Sequence, residues 1–119
     1  MVKEKNLYLT SSNLFKSNLL DDIVPSKERE IFETIFKDQK IKIERIVSCG
    51  QSSPVDFWYD QDENEFVLLL EGEAKIEFEK DIHFLRKGDC MLIPAHAKHR
   101  VAFTATDKTT VWLAIFWKG

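Results

Sequence analysis

From Lys40 onward, apolar and polar residues alternate with a period of two, the pattern of strands that turn one face to a core and the other to water. Ile41 and Ile43 alternate with Lys42 and Glu44, and the strand continues through Ile46 and Val47. Phe66-Val67-Leu68-Leu69-Leu70 is apolar on both faces. Glu71-Gly72 then predicts a tight turn into a strand in which Ala74, Ile76 and Phe78 alternate with Lys75, Glu77 and Glu79, so that the two strands form a hairpin with one wet strand. A second short pair is predicted over 82–85 and 90–93, joined by Lys87-Gly88-Asp89 and ended by Pro94, which lacks the amide a ladder needs. Strands over 99–104 and 109–117 complete the set. About eight short strands with regular turns argue for an all-β antiparallel sandwich or barrel.

The chain before Lys40 reads differently. Asn6-Leu7-Tyr8-Leu9 is the only early strand candidate. Ser26 follows Pro25 and can cap a helix whose first turn carries Glu28 and Glu30, while Ile31, Phe32, Ile35 and Phe36 recur at i and i+4. One short N-terminal helix over about 26–37 is therefore expected, with residues 1–39 an arm and helix laid over a barrel of residues 40–119.

Composition narrows the classes. At 119 residues, with 44% hydrophobic and 12% aromatic residues, the chain suits one domain with a core that needs no disulfide or metal staple. The balance of 17 basic against 20 acidic residues gives a net charge of -3, and the Lys and Arg are scattered, which argues against nucleic acid. No apolar run has the length of a membrane span, and residues 1–6 lack the apolar stretch of a signal peptide, so no membrane and a cytoplasmic location are expected. Cys49 and Cys90 form no CxxC pair and read as buried free thiols. No covalent-nucleophile motif and no phosphate loop is present in the sequence.

Two spaced motifs carry a family resemblance. Glu65-Phe66-Val67-Leu68-Leu69-Leu70-Glu71-Gly72 has the form E-x6-G, and Gly88-Asp89-Cys90-Met91-Leu92-Ile93-Pro94, followed by His99, has the form G-x5-P-x4-H. Together they resemble the two halves of the cupin signature, over roughly residues 40–117, and the strings FWYDQDENEFVLLLEGEA and GDCMLIPAHAKHRV resemble small single-domain bacterial cupins. The resemblance implies a double-stranded β-helix, the cupin jelly roll, a tendency to form homodimers, and a divalent metal (iron, manganese, nickel or zinc) inside the barrel.

The residues themselves ask for chemistry at the same places. Glu65 opens an apolar strand, where a carboxylate without a cation or donor costs several kcal/mol or becomes neutral. His99 begins a strand whose alternate positions Val101 and Phe103 are apolar, which predicts an inward imidazole. Where the family has H-x-H, counting back from Glu65 gives Tyr59 and Gln61, or in the other register Trp58 and Asp60; neither contains histidine. Only Glu65 and His99 match the family's metal ligands. His96, where the pattern usually has glycine, could complete a two-histidine, one-carboxylate facial triad, with Gln61 adding a neutral oxygen. Trp58, Tyr59 and Asp60 are then candidate pocket residues, with Trp112 and Trp117 as further aromatic candidates. The alternative is that Glu65, Gln61, His96 and His99 form a hydrogen-bonded cluster lining a metal-free pocket. His83, among charges, reads as solvated.

Three functions stay open at this point: a metal-dependent enzyme of oxygenase or isomerase type, a non-catalytic small-molecule binding or sensing module, and a purely structural subunit. A homodimer is expected from Leu7-Tyr8-Leu9 together with Leu14, Phe15, Leu19 and Leu20, which are more apolar than a surface arm needs.

Overall fold

The computed structural model describes residues 16–119. Its strands are β1 (Ile31–Lys37), β2 (Ile41–Ser48), β3 (Asn64–Glu71), β4 (Glu73–Phe78), β5 (Ile82–Arg86), β6 (Cys90–Ile93), β7 (His99–Thr104) and β8 (Thr110–Trp117). They form a five-stranded sheet in the order β1-β2-β8-β3-β6 and a three-stranded sheet in the order β5-β4-β7, all antiparallel. The two sheets enclose a core of Val67, Leu69, Ala74, Ile76, Leu85, Ile93, Trp112, Ala114 and Phe116. This is the jelly roll that the strand pattern and the motifs predict.

The expected helix over 26–37 is not formed; its second half is β1, paired with β2 from Ile31↔Val47 to Lys37↔Lys42. The apolar spacing of four that suggested a helix is also twice the strand period, so the pattern was ambiguous. Phe, Ile and Thr favour a pleated surface, a helix this short is marginal alone, and an adjacent strand was available to pair. The turn seals the choice, since the Asp38 carboxylate accepts the amides of Lys40 at 2.8 Å and Ile41 at 2.9 Å. Ser26 does accept the Glu28 amide, at 3.2 Å, but in a bend. The early strand candidate at 6–9 lies outside the described residues.

Two predicted pairings are also corrected. β3 and β4 belong to different sheets, as do β5 and β6, so neither pair is a hairpin. Each connection turns a corner from one sheet to the other. At the first corner Gly72 has φ 92°, and a Cβ there would sit 2.6 Å from the Thr110 Cα, which leaves room for glycine alone. The local hairpins are β1–β2 and β4–β5. A bulge in the β4–β7 ladder pairs Lys75 with Phe103 but Ile76 with Val101. Val101 therefore faces the cavity, whereas Phe103, expected inward, lies under the Lys75 ammonium at 5.6 Å.

A buried arginine links β1 and β2 and ties the segment before β1 to the larger sheet. Arg45, 3% exposed, donates its Nε to Glu33 Oε1 at 2.7 Å and its terminal nitrogens to the carbonyls of Leu19, Asp21 and Asp22. Among the described residues no helix is long and apolar enough to cross a membrane.

Candidate functional site in the barrel

Between the sheets lies a cavity of about 110 Å³, walled chiefly by Phe32, Ile46, Val67, Ile76, Ile93, Val101, Trp112 and Phe116. Into this apolar space project Glu30, Tyr59, Gln61, Glu65 and His99. Glu65 is inward because it shares its face of β3 with the buried Val67 and Leu69.

His99 is 5% exposed and is placed by its neighbours. The loop before β3 runs back along β7: the Ser53 amide donates to Val101 at 2.8 Å, and Tyr59 and His99 exchange backbone hydrogen bonds of 2.7 and 3.1 Å. That bridge stacks the two rings with centroids 5.6 Å apart and planes at 27°, and the Phe78 ring lies 5.9 Å away. His99 Nδ1 sits 2.8 Å from the Ala97 carbonyl, which can only accept, so Nδ1 carries hydrogen. Nε2 then faces Glu65 Oε1 at 3.6 Å, an ion-pair distance longer than a hydrogen bond. In a neutral ring this would set lone pair against lone pair. The arrangement holds together when a proton or another cation occupies Nε2. Burial, the largest single influence, pulls the His99 pKa down, but attraction to Glu65 and the Ala97 carbonyl outweigh it and hold the value above normal. Gln61 Nε2 donates to the same Glu65 oxygen at 3.0 Å.

The second polar pole was not foreseen. Glu30, placed by the sequence reading in the first turn of a helix, precedes β1 and lines the cavity. The Trp112 indole donates to Ser48 Oγ at 3.2 Å, and Ser48 in turn donates to Glu30 Oε2 at 2.5 Å. Burial pushes the Glu30 carboxyl up, partly opposed by the Ser48 bond. Burial, and the charges of Glu30 and Glu65, likewise raise the Tyr59 phenol. The signal was present in the sequence: Glu30 directly precedes an apolar strand, much as Glu65 stands at the start of one, but the helical period of Ile31 to Phe36 hid it.

Other candidates lie elsewhere. His96, at φ 64°, is exposed, and its Nδ1 meets Asp60 Oδ1 at 2.8 Å. Its backbone amide caps the Gln61 carbonyl at 2.8 Å, but its ring does not line the cavity. Trp58 and Asp60 line an outer groove with Asp56, Phe57, Glu79 and Lys98. His83 is half exposed beside Asp81, as its surroundings in the sequence suggest. Both cysteines are free, but Cys90 is exposed rather than buried. The structure thus joins Gln61, Glu65, His99 and Tyr59, and separates them from His96, Trp58 and Asp60. Among the described residues no group of three or more His, Cys, Asp or Glu is placed to hold a metal ion. Glu65 and His99 are two good donors, too few for a closed site, so the facial triad is not assembled.

Fold and site together define a cupin, and the sequence comparison agrees: a cupin-domain family profile matches residues 46–116, and the chain belongs to that family. Among solved structures it is similar to a provisionally assigned mannose-6-phosphate isomerase from Ralstonia eutropha JMP134, with 42% identity, TM-score 0.84, and coverage of 87% of this chain and 98% of the other. A cupin superfamily protein from Desulfitobacterium hafniense DCB-2 shares the fold at 19% identity and TM-score 0.69, covering 82% of this chain and 84% of its own. An RmlC-like cupin from Desulfovibrio desulfuricans does so at 21% identity and TM-score 0.68, covering 86% and 95%. No curated protein matches the chain.

Proposed function

We propose that this cupin binds a compact small molecule in its barrel and that Glu65 and His99 act on it as a proton-holding couple, the equipment of an isomerase-type proton transfer. The observation that carries this reading is the orientation of His99: Nδ1 is committed to Ala97, and Nε2 faces the Glu65 carboxylate at 3.6 Å at the wall of an apolar cavity. In such a pair the carboxylate can take a proton from bound substrate while the imidazolium gives one, and the exclusion of water strengthens both interactions. Gln61 holds the Glu65 oxygen, and Tyr59 holds the ring.

The provisional isomerase assignment of the 42%-identical relative supports the reaction type. Its sugar phosphate is not carried over, because the cavity lining includes two carboxylates and no Lys or Arg to meet a phosphate. A cavity somewhat below the roughly 150 Å³ of an engineered site that takes benzene suits a small branched molecule. We propose a homodimer as well, to be read by light scattering as about twice 13.9 kDa.

Two measurements test the function. Isobutanol should shift the methyl resonances of Val67, Ile76 and Val101, and hydroxyacetone should exchange its carbon-bound hydrogens with deuterated water faster with the wild type than with His99→Ala. Binding without exchange would leave the non-catalytic module. No binding at all would sink the proposal. Reconstitution with iron, manganese, nickel or zinc decides the occupant of Nε2: a stoichiometric ion lost in His99→Ala would replace the proton in this account.

A further inference from the structure

We infer that the cavity selects ligands carrying a positive charge, with Glu30 as the residue that sets this preference. This rests on the proposed ligand site and names the class of molecule it takes.

Charge arithmetic within the cavity comes first. Its ionisable lining groups are Glu30, Tyr59, Glu65 and His99. Tyr59, raised above its ordinary value, stays neutral. With His99 protonated, Glu65 is balanced and an ionised Glu30 is not; with His99 neutral, both carboxylates are uncompensated. Burial raises the Glu30 carboxyl by disfavouring this bare charge, and a cationic ligand is what would restore the ionised form. The nearest candidate counter-ion by sequence, Arg29, shares an outer groove with Glu30 but does not line the cavity, and its ion pair is with Glu28 at 3.8 Å.

The geometry of Glu30 leaves one oxygen for a ligand. Oε2 takes the Ser48 hydroxyl, whose own oxygen is fixed by the Trp112 indole, so the carboxylate is held in one orientation. Oε1 accepts no hydrogen bond from any described residue. A half-buried carboxylate beside an apolar wall, with one neutral protein donor, has an oxygen open to a ligand, and a bound ammonium supplies both charge and donors. Phe32 and Trp112 add aromatic rings to the same walls, while the Phe116 ring already carries the Lys42 ammonium 4.6 Å from its centroid. The ligand class is therefore a small aliphatic amine with an apolar body that reaches from Glu30 toward the Glu65–His99 pair.

The test compares three probes of one shape, isobutylamine, isobutanol and isobutyrate, by titration of the methyl resonances of the wild-type protein. We expect the amine to bind about tenfold more tightly than the alcohol, and isobutyrate not to bind. In Glu30→Gln, which keeps a partner for Ser48, the ratio of amine to alcohol affinity should fall to about twofold or less, whatever the alcohol's own affinity becomes. An amine no tighter than the alcohol in the wild type overturns the inference while leaving the ligand site standing. So does an advantage that survives in Glu30→Gln. If none of the three binds, the ligand site itself is wrong and the inference falls with it. The wild-type order tests the charge argument alone, so the result does not depend on how the variant folds.

Discussion

Tyr59 and His99 are joined twice, by a pair of backbone hydrogen bonds of 2.7 and 3.1 Å and by rings stacked 5.6 Å apart. The first join decides the second: a loop residue becomes an extra rung on β7, and its ring is thereby laid over the imidazole. Phe57 braces the phenol edge-on, with centroids 4.9 Å apart. Replacing Tyr59 with Phe should preserve binding of isobutanol and change stability by less than about 0.5 kcal/mol. Tyr59→Ala opens the wall and should weaken that binding about tenfold, since the lost ring also admits water. Equal affinities for the two variants would show that the ring does not shape the cavity.

The raised pKa of His99 has a pH consequence with a definite sign. Protonation is favoured in the folded protein, so the imidazolium's contribution to stability is fully present below the unfolded value of 6.5 and is lost as pH rises through the higher folded value. Glu30, also raised, bends the curve in the same direction, so the comparison must isolate His99. The gap in melting temperature between wild type and His99→Gln should be wider at about pH 6 than at about pH 9. A gap that widens with pH would mean that the ring is neutral in the folded protein.

His96→Gly tests the ligand triad directly. His96 holds a left-handed backbone at φ 64°, and its contact with Asp60 is exposed. Glycine relieves the backbone while giving up an exposed pair, so stability should change by less than about 0.5 kcal/mol and isobutanol affinity should not change. A loss of metal occupancy on this substitution would restore His96 to the site.

The Glu33–Arg45 pair should be unforgiving when broken from one side. Both groups are buried, at 7% and 3% exposure, and lie 2.6 Å apart. Glu33→Ala strands a guanidinium and should cost about 3–5 kcal/mol in urea unfolding, whereas replacing both residues with apolar side chains should cost distinctly less. If the two costs are equal, the pair does not behave as a coupled unit.

Gly72 and Gly88 have nearly the same φ, 92° and 91°, but different surroundings. Alanine at Gly88 meets nothing within 4 Å and pays only the backbone strain, about 1 kcal/mol. At Gly72 the new methyl would meet the Thr110 Cα at 2.6 Å, a backbone atom that cannot swing aside, so Gly72→Ala should cost roughly twice as much or more. Thermal unfolding of the two variants side by side checks the order.

The alternation of Ile41 with Ile43 and of Ala74, Ile76 and Phe78 was enough to identify strands, because a period of two is a local property written residue by residue. Glu65 and His99 were legible for a related reason: each opens an apolar strand, and a polar group there must face either the core or its edge. The partners of those strands were not legible. Gly72 and Gly88 look like hairpin turns, yet they turn corners between sheets, and only packing of β3 beside β8 and of β4 beside β7 decides that. The run Ile31 to Phe36 satisfied two periods at once, and the neighbouring β2 chose between them. That choice moved Glu30 from a solvated helix end to the cavity wall. His96 and Asp60 were drawn outward by a left-handed turn after Pro94, while Tyr59, still 38% exposed, was laid at the rim of the cavity by a backbone bridge to His99. In each case the deciding contact lies between residues distant in sequence, and its energy exists only once the chain has closed the barrel.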